Sequence, residues 1–176
     1  MIITETRLGG AYIVDVEPRQ DERGFFARSF CRDEFARAGL PGDFVQCNIS
    51  SNRDRGTLRG MHYQADPHPE GKLVRCSRGA IRDVIVDLRP DSPTYCQWIG
   101  VDLTEQNCRA LYIPPGFAHG FQSLAEDSEV FYQMTEAYVG TLARGVRWND
   151  PAFAIEWPLP DPIMSERDAT YPDFRK

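Results

Sequence analysis

A mainly β chain closed into a barrel or sandwich is the fold class this sequence predicts, and three observations predict it. Short runs of alternating apolar and polar residues recur along the chain. Fourteen glycines and 13 prolines punctuate them, and only one convincing internal helical stretch interrupts them. Strands are expected from Ala11 to Val16, Leu58 to Gln64, Lys72 to Ser77, Ala80 to Leu88, Cys96 to Leu103, Arg109 to Ile113 and Glu129 to Tyr138. In the fourth of these, Val84, Val86 and Leu88 share one face. The helix runs from Arg32 to Ala38, where Phe35 and Ala38 are three apart and Gly39 offers a stop; it reads as peripheral. Trp157-Pro158-Leu159-Pro160-Asp161-Pro162 breaks regular structure before a short C-terminal helix. Seven or more strands favour a closed β-architecture with a ligand-sized interior. No repeat or linker divides residues 1–176, so a single domain is expected, large enough to bury roughly 68–70% of its unfolded surface.

Charge and composition narrow the partners. A net charge of -6 and a pI near 5.1 argue against nucleic acid or an anionic membrane held by bulk charge. Five cysteines, Cys31, Cys47, Cys76, Cys96 and Cys108, are odd in number and form no CxxC pair, which points to reduced thiols rather than a disulfide framework or a zinc ribbon. With no long apolar segment at the start and no run of 18 apolar residues, a cytoplasmic protein is expected.

Two short blocks carry the chemistry: Leu58-Arg59-Gly60-Met61-His62-Tyr63-Gln64 with Lys72 following, and Gly116-Phe117-Ala118-His119-Gly120. They hold two of the three histidines. An imidazole with pKa near ~6.5 accepts and returns protons at neutral pH. A lone strand histidine is more often structural, but His62 has Arg59, Lys72 and Tyr63 close by in the chain or one hairpin away. That is the company a base needs beside a ketone: the enolate it generates requires a fixed cation or donor, worth ~3–4 kcal/mol when well placed. His119 follows a Pro-Pro-Gly turn that would put it at a barrel rim. Metal binding competes for paired histidines but needs further ligands at tight spacing, and none is apparent, so no metal is expected.

Strand parity sets a condition. On a regular strand Arg59 and His62 point to opposite faces, so both reach one cavity only if Gly60 marks a bulge. By the same period Tyr132, Met134, Glu136 and Tyr138 share a face, and two tyrosines with a glutamate suit a polar cavity better than a dry core. Tyr132 would act as an acid opposite His62, and Tyr138 would meet a different part of a long ligand. Gln46 and Asn48 share a face suited to hydrogen bonds with a sugar. Asp168 lies in Ser165-Glu166-Arg167-Asp168, which has capping-box spacing, and local sequence favours that structural reading. The alternative is a carboxylate that orients a histidine, which needs the tertiary fold to bring it to His62.

Taken together, Asp21-Glu22-Arg23-Gly24-Phe25-Phe26, Phe44-Val45-Gln46-Cys47-Asn48, Leu58 to Gln64, Lys72-Leu73-Val74-Arg75, Ile113 to Phe121, Trp148-Asn149-Asp150 and Ile155-Glu156-Trp157-Pro158 resemble, in order and over nearly the whole chain, the nucleotide-sugar epimerases typified by dTDP-4-dehydrorhamnose 3,5-epimerase. The resemblance implies a cupin-type jelly-roll with short peripheral helices. It implies no metal, a nucleotide-diphosphate sugar as substrate, and a homodimer in which the partner's N-terminal region completes each nucleotide site. The activity implied is inversion of C3 and C5 of a nucleotide-linked 4-keto-6-deoxyhexose through an enolate, in deoxysugar biosynthesis. By position it makes His62 the base, Asp168 its supporting carboxylate, Lys72 the cation at the enolate and Tyr132 the opposing acid. It makes Arg59 and His119 further pocket residues, and Arg23, Phe26 and Tyr138 groups that hold the diphosphate and base.

The chain departs from the family pattern at three places. Arg28 stands where a glutamate commonly contacts thymine; a guanidinium only donates, and it suits cytosine O2 and N3 or guanine O6 and N7. Ala137 and Gln133 replace a tyrosine and a lysine that often flank this site. A C3-only epimerase, a 4-keto to 3-keto isomerase, a metal cupin oxygenase and a non-catalytic sugar-nucleotide binding module remain alternatives. Product stereochemistry, a moved ketone, bound metal and affinity without turnover respectively distinguish them.

Overall fold

The computed structural model describes residues 1–175. In chain order the elements are β1 (Ile2–Glu5), β2 (Tyr12–Asp15), β3 (Arg19–Asp21), β4 (Gly24–Phe26), α1 (Arg32–Arg37), β5 (Gln46–Asn52), β6 (Leu58–Gln64) and β7 (Lys72–Arg78), followed by β8 (Ala80–Asp87), β9 (Trp98–Thr104), β10 (Ala110–Ile113), β11 (Phe117–Ser123), β12 (Ser128–Met134), β13 (Ala143–Gly145) and α2 (Glu166–Ala169). Two sheets face each other, one in the order β1-β2-β10-β7-β12-β5 and the other in the order β13-β6-β11-β8-β9; β3 and β4 form a separate hairpin. All strand pairings in these sheets are antiparallel. This is the jelly-roll of the cupin type, with both helices short and peripheral.

Packing explains which faces are apolar. Between the sheets, Val74, Ile81, Ile85, Leu103, Leu111, Phe117, Phe121 and Val130 close one part of the barrel. Behind the five-stranded sheet, Met61, Val84, Val86 and Ala118 meet Val146, Phe153 and Trp157, so the C-terminal stretch roofs that sheet. Behind the six-stranded sheet, Phe35 of α1 packs with Val14, Leu73 and Tyr112 and edge-on to Phe30 and Phe44. Strand β8 is therefore buried on both faces, which is why Val84-Ile85-Val86 runs apolar without alternation.

Several elements differ from the sequence expectation. Strand β11 has all seven residues buried, so it shows no alternation to read. Strand β5 is rich in small polar residues with weak strand preference. Strands β1, β3, β4 and β13 are three or four residues long. Strand β12 stops at Met134 instead of continuing to Tyr138. Beyond it, side chains take over from the ladder: the Gln64 amide donates to the Ala137 carbonyl (3.0 Å) and accepts from the Val139 N–H (2.7 Å), while the Tyr138 N–H donates to Gln46 Oε1 (3.0 Å). His119 also departs from expectation, since it lies in mid-strand and is buried rather than at a rim.

The bulge that parity demanded is present. His119 pairs with His62 and Phe121 with Arg59, so three residue steps on β6 span two on β11. Gly60 takes φ +134°, and a Cβ there would lie 2.5 Å from Gly120 Cα. Glycine is required on both counts. Gly60→Ala is expected to destabilise the fold by about 1–3 kcal/mol and to lower turnover further than stability alone accounts for, because Arg59 and His62 lose their common face. Thermal melts beside kinetics on the folded fraction check this.

Candidate active site

A cavity of about 570 Å³ opens between the two sheets. From the five-stranded side Arg59, His62 and His119 line it, and from the six-stranded side Gln46, Asn48, Lys72 and Tyr132 do so; Tyr138 and Arg167 join them from outside the strands. His62 and Tyr132 thus stand on facing sheets with the cavity between them. A mixed apolar and polar lining with a few converging charged groups is the ordinary character of a small-ligand site.

His62 is anchored from behind. Its Nε2 lies 2.7 Å from Asp168 Oδ1, and Asp168 Oδ2 accepts the Gly60 N–H at 3.2 Å. The helix-start reading of this segment holds as well: the Ser165 hydroxyl accepts the Asp168 N–H at 3.2 Å and caps α2. The cap fixes the backbone and leaves the carboxylate free for the imidazole. Burial raises the Asp168 pKa, but the hydrogen bond and charge of His62, the Gly60 N–H and Arg167 outweigh it and hold the carboxyl below its ordinary value. An ionised carboxylate only accepts, so His62 carries its proton on Nε2, and Nδ1 is the basic nitrogen. The Tyr171 ring stands edge-on to the imidazole at 6.3 Å between centroids.

Opposite, burial pushes the Tyr132 phenol above its ordinary pKa; the Arg59 charge opposes this and the Glu70 charge adds to it. The phenol therefore keeps its proton at neutral pH. Lys72 is buried and ion-paired to buried Glu70. Arg59 Nε donates to Asn52 Oδ1 at 2.8 Å, which steers the guanidinium along the cavity wall. His119 Nε2 meets Asp83 Oδ1 at 2.7 Å; Asp83 is wholly buried and burial raises its pKa, against the charges of His119 and Lys72. Gln46 and Asn48 share a face as their parity predicts, with Gln46 Nε2 donating to Asn48 Oδ1 at 3.1 Å.

Three expected site residues are not at this cavity in their own chain. Arg23 and Phe26 belong to the β3–β4 hairpin and are exposed; Arg23 pairs with Asp21 at 2.6 Å. Arg28 pairs with Glu34 at 2.6 Å, and Glu34 also holds the N-terminal amine. Conversely, sequence reasoning missed Glu70, Arg167 and Tyr171. Glu70 was within reach of it, being two residues from Lys72 in an extended segment and hence on its side. Arg167 and Tyr171 flank Asp168 and become visible only once α2 is known to dock against β6. Among the described residues no three His, Cys, Asp or Glu side chains gather as a metal site, and no helix is long and apolar enough to cross a membrane.

A cupin jelly-roll whose cavity opposes a carboxylate-backed imidazole to a protonated tyrosine has the parts of an acid–base isomerase, one group on each side of a shared ligand site. The family model described as dTDP-4-dehydrorhamnose 3,5-epimerase matches residues 5–176. A Shigella flexneri protein named dTDP-4-dehydrorhamnose 3,5-epimerase is 43% identical over 169 residues, covering 96% of this chain and 93% of its own. The crystal structure of the Bacillus anthracis enzyme of that name, with TDP and PPi bound, superposes with a TM-score of 0.95 at 41% identity, over 98% of this chain and 99% of its own. A Legionella pneumophila 3,5-epimerase in complex with dTDP-4-keto-L-rhamnose gives 0.89 at 39% identity, over 96% and 89%. This chain belongs to the dTDP-4-dehydrorhamnose 3,5-epimerase family, and it is an enzyme.

Proposed function

We propose that the protein inverts C3 and C5 of a nucleotide-linked 4-keto-6-deoxyhexose, with dTDP-4-keto-6-deoxyglucose as the substrate. The observation that carries this is the opposition of the His62 base, backed by Asp168, to a protonated Tyr132 across one cavity. His62 Nδ1 removes the proton next to the C4 ketone. The Lys72 ammonium, buried at the cavity wall, holds the enolate oxygen that forms, and Tyr132 delivers a proton to the other face of the ring. Both carbons flank the same ketone, so one base and one acid serve both after the ring changes pose. Arg59, His119, Gln46, Asn48 and Tyr138 hold the sugar and diphosphate. None of these steps calls for a cofactor.

The working unit in this reading is a homodimer of single-domain chains acting in the cytoplasm, where five free thiols are at home. Exposed Phe25 and Phe26 on the β3–β4 hairpin, and exposed Val45 and Ile49 on and beside the edge strand β5, support an interface there. Arg23, Phe26 and Arg28 would then reach the partner's cavity and meet the nucleotide. Turnover of dTDP-, CDP- and GDP-linked 4-keto-6-deoxyglucose, with product configuration read from proton coupling constants, tests the reading. Inversion at both C3 and C5 of the dTDP sugar is expected. Inversion at C3 alone assigns the narrower activity, and no inversion with any of the three sugars overturns the proposal.

Asp168→Asn isolates the dyad. The amide retains an acceptor for Nε2–H but not the charge that stabilises the imidazolium, so kcat is expected to fall roughly 10²-fold or more with sugar-nucleotide affinity little changed. The same variant alters acid stability. Because the folded-state pKa of Asp168 lies below its unfolded value, its contribution to stability is present above about pH 4 and lost as pH falls through the folded value. Denaturant melts between pH 3 and pH 6 are expected to show a shallower loss for Asp168→Asn than for wild type.

A further inference from the structure

Glu70 is the cavity carboxylate to which no step above gives a task. It lines the cavity beside Lys72, with 5% of its side chain exposed against 10% for Lys72. One oxygen, Oε1, is taken by the Lys72 ammonium; the other, Oε2, is buried and has no hydrogen-bond partner. A buried acceptor left without a donor is unfavourable by about 1–3 kcal/mol, and by more when it is charged. The neighbouring groups do not relieve it. Lys72 is engaged at Oε1, and Tyr132, near enough to feel the charge of Glu70, makes no hydrogen bond to it. Lys72 and Arg59 offer only donors to the cavity, and among the described residues Glu70 is the one carboxylate in its lining. A ketone oxygen has nothing to give it. A hydroxyl has.

Resting on the reading of Lys72 as the cation at the ketone oxygen, we propose that Glu70 Oε2 accepts a hydrogen bond from the ring hydroxyl on C3, the carbon next to the ketone. Glu70 and Lys72 then act as a matched acceptor and donor for two oxygens on adjacent ring carbons, and Glu70 is a specificity-determining residue that admits sugars carrying a donor there. A carboxylate whose only work is to neutralise Lys72 would be indifferent to the substituent at C3.

The two readings separate by binding. Dissociation constants are measured by calorimetry for dTDP-4-keto-6-deoxyglucose and for its 3-deoxy-3-fluoro analogue, whose fluorine cannot donate. The His62→Ala background slows turnover of either ligand about 10²–10⁴-fold. With Glu70 in place the fluoro analogue is expected to bind at least ~10-fold more weakly, the loss of one charge-assisted hydrogen bond. Glu70→Gln keeps the shape and the acceptor for Lys72 but turns the second position into an N–H donor, so the preference for hydroxyl is expected to fall to within roughly threefold. Equal affinity for the two ligands with Glu70 present overturns the proposal without reference to any Glu70 variant. So does the same ratio in a folded Glu70→Gln protein. Failure of both ligands to bind at all overturns this inference together with the proposed function, whereas tight binding with an unchanged ratio overturns this inference alone.

Discussion

His62→Ala is expected to lower turnover by about 10²–10⁴-fold, the range that a positioned general base supplies, while sugar-nucleotide affinity stays within a few-fold of wild type. Two features set that combination. In the proposed reading the imidazole supplies the base, and the groups proposed to hold the ligand, among them Arg59, Gln46, Asn48 and Lys72, are fixed by their own strands and partners. Removing the ring frees Asp168 without disturbing them. The α2 cap at Ser165 and the Gly60 N–H continue to hold the carboxylate in place, so the loss is chemical. Kinetics beside calorimetry check the split; a large fall in affinity with kcat preserved would mean that His62 holds the ligand and another group removes the proton.

Tyr132→Phe is expected to have an effect of similar size on product formation but a different isotopic signature. The base is untouched, so the proton next to the ketone still leaves and returns from the face that His62 commands. Delivery to the other face fails because the phenol is gone. In D2O the variant should therefore wash deuterium into unreacted substrate with retention of configuration, while product forms about 10²–10⁴-fold more slowly. Loss of all exchange, as expected for His62→Ala, would show that the phenol takes part in proton removal as well. Product at the wild-type rate would show that the acid lies elsewhere.

The parts of this molecule differ in how plainly its sequence announces them. Strands with one wetter face, such as β9, where Ile99, Val101 and Leu103 turn to the core and Asp102 to solvent, announce themselves by period two. So does β8, buried on both faces, through its density of Val and Ile. Strand β11 lacks both signals, and the turn before His119 is easily read as a rim because nothing local says that Asp83 waits for the imidazole inside the barrel. The bulge at Gly60 was legible as a contradiction: two site residues of opposite parity with a glycine between them. Asp168 lies at the other limit. Its local pattern specifies a helix cap, which it does help to form, and its contact with His62 spans 106 residues, a separation that no local pattern encodes. The family resemblance supplied that link, and the geometry shows why cap and contact do not compete: the backbone N–H serves one and the carboxylate serves the other.

The nucleotide end is governed by different physics. Arg23, Phe26 and Arg28 lie on or next to a hairpin that joins neither sheet of its own chain, so in the proposed homodimer their part depends on a surface contributed by a second copy. Arg28 is held by Glu34 rather than left free, and a bound base would have to compete with that pair for the guanidinium.

The most direct test of the central claim, inversion through a carbanion beside the ketone, is the isotopic content of product formed by the wild-type enzyme from dTDP-4-keto-6-deoxyglucose in D2O. One solvent deuterium at each inverted carbon and none elsewhere on the ring is the predicted result. Inverted product that retains its original hydrogen at C3 and C5 would contradict it, because the hydrogen would then have moved without passing through His62 and Tyr132.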